Sequence, residues 1–106
     1  MIPPNHMHIK RKYHWENQET KDLFEAVTKL QNADEAHRFY RDLCTPEEID
    51  EMARRWQIAK RLAKEQSYRK IAREVEVSTS TVARVAQWLH SGKGGYQLIL
   101  KRLHLM

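Results

Sequence analysis

One cysteine, Cys44, stands in the whole chain. A lone thiol closes no disulfide framework and supplies no thiolate set for a structural zinc, as expected of a reducing compartment. Glycine is almost as scarce: Gly92, Gly94 and Gly95 are the only three, all within four residues. They mark a hinge, and no glycine-rich phosphate loop can be assembled around them. No apolar run reaches the roughly 18 residues that suggest a membrane span. Residues 1–15 also lack the apolar middle of a signal peptide, so the chain is expected in the cytoplasm, away from membranes.

Catalytic groupings are equally thin. His6 and His8 could chelate a metal but have no third fixed ligand, while His37 and His90 read as solvated helix residues. No nucleophile stands at motif spacing from a base, and the paired acids Glu47-Glu48 and Asp50-Glu51 fit the start of a helix. The chain is expected to be no enzyme and to carry neither metal nor cofactor.

What is present is charge, unevenly spread. The net charge is +5 over 106 residues, enough for one domain with a limited core. Residues 1–15 carry +3 with no acid, residues 16–52 carry −7, and residues 53–106 carry +9 from twelve bases against three acids. A basic C-terminal half suits a polyanion, while an acidic first half argues against indiscriminate wrapping. It also suggests attraction between the halves, within one copy or between two. Residues 1–15, with Pro3-Pro4 and Lys10-Arg11-Lys12, read either as a flexible basic arm lying on phosphates or as a leader without a role.

Residues 16–106 read as a single helical domain. Leu23, Phe24, Ala26, Val27 and Leu30 form one apolar face from about Gln18. A second helix, from near Asn32 or Asp34 to Leu43, should bury Ala36, Phe39, Tyr40 and Leu43. Thr45-Pro46 starts a third, with Thr45 as N-cap, Pro46 in the first position and Glu48 completing a capping box. That helix should run to about Lys64 and bury Ile49, Met52, Ala53, Trp56, Ala59, Leu62 and Ala63. Its outer face would carry Arg54, Arg55, Lys60, Arg61 and Lys64. After the glycine hinge, Tyr96 to Met106 presents Leu98, Ile99, Leu100, Leu103 and Leu105.

Between them, Ser67 to Trp88 reads as a helix-turn-helix. Ile71 and Val75 are spaced i, i+4, and Val82 and Val85 i, i+3; Val77 plugs the turn and small Ala72 suits a close crossing. Ser78 is an N-cap for a second helix exposing Thr79, Ser80, Thr81, Ala83, Arg84 and Gln87. No acid interrupts Ser78 to Gln87, and hydroxyls, Arg and Gln suit a major groove. A plain helical hairpin feeding a core would share the stripe but not this acid-free face. Glu76 takes the turn position often held by Gly, so the turn must avoid positive φ or carry strain.

So many amphipathic faces in a short chain need covering, and a homodimer joined through the N-terminal helices and the C-terminal helix would cover them. Two recognition helices related by a two-fold axis can then meet successive major grooves about 34 Å apart.

Leu43-Cys44-Thr45-Pro46-Glu47-Glu48-Ile49, Ser67 to Ala72 and Ser78 to Val85 together resemble the Trp repressor superfamily. The Gly94-Gly95-Tyr96 turn and its apolar follow-on resemble its YerC/YecD-like branch, over about Asp22 to Leu103. The resemblance implies an all-α, six-helix, intertwined homodimer that binds palindromic operator DNA and represses transcription. It also implies roles. Arg69 matches a DNA-contacting arginine, and Thr79, Ser80 and Thr81 match the base-facing end of the recognition helix. Arg84 matches one arginine flanking the tryptophan corepressor, and the second falls at Arg54 or Arg55. Where the tryptophan-responsive repressor has a Gly that admits the indole, this chain has Val85. That branched side chain, and Trp56 near the second arginine, argue against L-tryptophan as corepressor.

The expected function is sequence-specific binding of double-stranded DNA by a dimeric repressor. Arg69, Thr79, Ser80, Thr81 and Arg84 would read bases, and Lys64, Lys70 and Arg73 would grip phosphates. Arg54, Arg55, Arg84 and Val85 form a candidate pocket for an effector that the sequence does not identify. The competing reading is a helical module whose basic half docks on an acidic protein without needing DNA.

Overall fold

A computed structural model describes residues 14–106, and residues 1–13 of the basic arm, with His6, His8 and Lys10-Arg11-Lys12, lie outside the described residues. Among these there are six helices and no strand: α1 Gln18–Val27, α2 Ala33–Leu43, α3 Pro46–Ala63, α4 Tyr68–Val75, α5 Thr79–Ser91 and α6 Gly95–Arg102. They fall into two compact units, one ending at Tyr40 and one running from Arg41 to Met106.

In the first unit, side-chain caps set the helix starts. Asn17 accepts from the Thr20 amide at 3.0 Å while the Thr20 hydroxyl accepts from the Asn17 amide at 3.0 Å, a reciprocal capping box. Asn32 accepts from the Glu35 amide at 2.9 Å and begins α2, while the Glu35 carboxylate accepts from the Gln31 amide at 3.0 Å. The rings of Phe39 and Tyr40 meet edge to face at 5.9 Å. Neither α1 nor α2 holds a fully buried residue. Phe24, expected on a covered face, is 55% exposed, and Leu43 at the end of α2 is 50% exposed.

The second unit holds the core. Thr45 and Glu48 form the expected capping box at the start of α3, and the amide bond it accepts holds the Glu48 carboxyl below the usual carboxylate range. Ile58, Ala59, Ile71, Ala72, Val82 and Val85 form one buried cluster, with Trp56, Leu62, Val75, Val77 and Tyr96 packed against it. Fully burying Ile58, Ile71 or Val82 contributes about 1.5–3 kcal/mol each.

The buried arc of α3 differs from the expected stripe: Ala53 is exposed, and Ile58, outside that stripe, is completely buried. Helix α3 packs against α4, α5 and α6, so its second half is covered from more than one side. Arg55, Lys60 and Arg61, expected on the outer face, are accordingly half-buried. In α6, Leu100 is fully buried while Leu98 and Ile99 stay exposed, as does the C-cap Leu103. Gln97 ties α6 to α5 by donating to the Leu89 carbonyl at 2.7 Å. Gly92 permits the chain to leave α5 closely, because a Cβ there would collide with the Trp88 carbonyl oxygen.

Candidate nucleic-acid interface

Helices α4 and α5 build the helix-turn-helix within the second unit. Ser67 caps α4 by accepting from the Lys70 amide at 3.2 Å. Helix α4 stops where Glu76 takes the left-handed conformation at φ 63°, ψ 51°. Of the two options for this turn, the chain adopts the strained one, which costs about 1–3 kcal/mol for a non-glycine residue. Val77 then returns to the core, its amide donating to the Ala72 carbonyl at 3.0 Å. The turn is thus held by a half-buried valine and a backbone bond despite its unfavourable residue.

Ser78 caps α5 by accepting from the Thr81 amide at 3.1 Å. Its hydroxyl also lies 2.9 Å from those of Ser80 and Thr81. Three hydroxyls therefore cluster at a helix N-terminus whose first turn carries no acid. Thr79, Ser80, Ala83, Arg84 and Gln87 are exposed as expected. Thr81 is the exception, half-buried with its hydroxyl turned onto the cap. On α4, Arg69, Lys70 and Arg73 are exposed, and Lys64 is exposed as the C-cap of α3. The candidate base-reading and phosphate-gripping residues thus lie on two consecutive helices and the turn that precedes them.

Arg54, Arg55, Arg84 and Val85 line one concavity of about 240 Å³ between α3 and α5. Val85, only 1% exposed, belongs to its wall and to the core at once. Arg54 pairs with Asp50 at 3.2 Å on the outside of α3. Glu51, Thr81 and Trp88 also line the space and were missed as pocket residues. Helical spacing contained the signal: Glu51 is one turn before Arg55, and Trp88 one turn after Arg84.

Trp56 is a correction. It does not line the concavity but stacks on Tyr96 of α6, the rings 6.4 Å apart and 17° from parallel. The filling side chain on that wall is Val85 alone of the two expected. Burial pushes the Tyr96 phenol up, an effect that the Arg55 charge partly offsets.

Among the described residues no group of His, Cys, Asp and Glu could hold a metal ion, and no helix is long and apolar enough to cross a membrane. Against known families, residues 18–104 match the model of the Trp repressor protein. The chain belongs to the Trp repressor family. YerC, an uncharacterised protein of Bacillus subtilis (strain 168), is 36% identical over 85 residues, 80% of this chain and 82% of YerC. The crystal structure of a TrpR-like protein from Eubacterium eligens superposes with a TM-score of 0.81 at 35% identity, covering 87% of this chain and 95% of that one. A Trp-repressor-type structure from Staphylococcus aureus gives 0.79 at 34% identity, covering 86% and 91%. The six helices are those of a Trp-repressor-like fold, a regulator fold rather than an enzyme fold.

Proposed function

We propose that this Trp repressor family member is a sequence-specific double-stranded DNA-binding transcriptional regulator, acting as a repressor. The observation that carries this is the exposed, acid-free face of α5 beside the exposed bases of α4. Thr79, Ser80 and Thr81 reach base edges from the N-terminal turn, the two threonine methyls suited to thymine, while Arg69 and Arg84 bridge guanine O6 and N7. Thr81 must release Ser78 or read through its methyl, because its hydroxyl is engaged at the cap. Lys64, Lys70 and Arg73 hold phosphates and set the register.

The protein acts as a homodimer on a palindromic operator. Support comes from apolar residues left in water in each unit, Leu98, Ile99 and the C-cap Leu103 at α6 in the one and Phe24 on α1 in the other, faces that a second copy would cover. L-tryptophan is not its corepressor. The Val85 side chain stands in the wall next to Arg84 and is part of the buried core, so it cannot be cleared without opening a cavity.

The test is selection of bound duplexes from a randomised library, with and without L-tryptophan. A palindrome with half-sites about one helical turn apart, recovered equally in both, is the expected result. A palindrome recovered only with L-tryptophan overturns the Val85 argument. No enriched sequence in either condition overturns the DNA reading and favours a basic module docking on an acidic protein.

A further inference from the structure

Arg61, at the end of α3, belongs to no part of the site described so far. Its guanidinium forms an ion pair with Glu74 of α4 and lies 3.4 Å from Gln66, and its Nε is buried without a hydrogen-bond partner among the described residues. The pair joins side chains thirteen residues apart, bridging the turn in which Glu65 takes the left-handed conformation at φ 60°. Both side chains are about one-third exposed, so water and salt screen this pair less than the open pairs of α2 and α3.

Glu74 and Glu76 are the only acids between Ser67 and Trp88. Glu74 follows Arg73 directly and lies one turn beyond Lys70, the two residues assigned to phosphates on α4. A free carboxylate there would repel the anion that its neighbours attract. We propose that Arg61 is a positioning residue of the reading motif: it fixes α4 against the end of α3 and cancels Glu74, without touching DNA itself. The DNA consequence rests on the function proposed above, whereas the fixing of α4 can be measured without it.

The experiment compares wild type, Arg61→Met, Glu74→Gln and the double variant. Methionine keeps the length of the stem and removes the unmet Nε–H, so folding is expected to survive. Duplex affinity, its salt dependence and hydrogen exchange of the α4 amides are read for each. In Arg61→Met, affinity should fall roughly tenfold and α4 exchange should quicken by a similar factor, within the coupling range of hydrogen-bonded pairs. Adding Glu74→Gln should restore affinity to within about threefold of wild type, because the unmasked charge is then gone. The slope of log affinity against log salt should stay unchanged in all four, whereas loss of a phosphate contact lowers it by about 0.9.

The proposal is overturned if Arg61→Met matches wild type in affinity and exchange, or if the double variant binds as weakly as Arg61→Met. The second outcome would mean that the Glu74 charge is not what weakens binding, so Arg61 does not act by cancelling it. Should wild type bind no duplex, the DNA reading fails by itself, and α4 exchange decides the lock: non-additive changes across the four proteins support it and additive changes overturn it.

Discussion

Replacing Val85 by glycine should both weaken the fold and open the concavity. Val85 is 1% exposed and packs with Ile58, Ile71 and Val82. The substitution removes three buried carbons, at about 0.8 kcal/mol each in transfer free energy. Glycine in place of valine within α5 adds roughly 0.4 kcal/mol through helix propensity. Partial collapse of the space left behind sets the remainder, so a total near 3 kcal/mol is expected. Urea unfolding at one fixed protein concentration measures it; with m near 2 kcal/mol/M, the midpoint should fall by about 1.5 M at unchanged m. Keeping protein concentration fixed matters, because association would couple stability to mass action. The gap opens between Arg84 and Ile58, so L-tryptophan added to Val85→Gly should raise its midpoint, with no effect on wild type. A loss under 1 kcal/mol, or a wild-type midpoint that rises with L-tryptophan, would refute the reasoning.

Other consequences are open to direct measurement. Arg69→Ala should change the preferred duplex sequence in a repeat selection, whereas Lys64→Ala should weaken all duplexes alike and reduce the salt slope by about 0.9. Glu76→Gly should raise thermal stability by about 1 kcal/mol, since the residue stands at φ 63° and glycine relieves that strain; calorimetry checks it. The Glu48 carboxyl is held low by the Thr45 amide, so its contribution is present above the ordinary carboxylate pKa and lost as pH falls through the lowered one. Glu48→Gln, which removes the titrating carboxyl, should flatten that part of the stability–pH profile, followed by circular dichroism across the acid range.

The parts of this fold legible in the sequence were those decided locally. Thr45-Pro46 and Ser78 announce helix starts because a side-chain cap needs only the next three residues. The helix-turn-helix was legible because its stripe, its turn valine and its acid-free face all lie within one short segment. The parts that depend on what packs alongside were not. Ile58 could not be placed by period alone, since three neighbours of α3 widen its buried arc. Arg61 read as an outer-face base because its partner stands on the next helix. Trp56 read as a pocket plug because sequence proximity to Arg55 does not say on which side of α3 its ring falls, and Tyr96 claims it. Gathering Arg54, Arg55, Arg84 and Val85 around one space relied on the family resemblance, since spacing alone does not join α3 to α5.

The most direct test of sequence-specific DNA binding is competition, near 150 mM salt, between the selected duplex and a scrambled duplex of equal length and composition. Base readout by α5 and Arg69 predicts that the selected duplex wins by about 10³-fold or more. A ratio near one, with both affinities falling steeply as salt rises, would contradict the account and leave only charge attraction between a basic helical surface and phosphate.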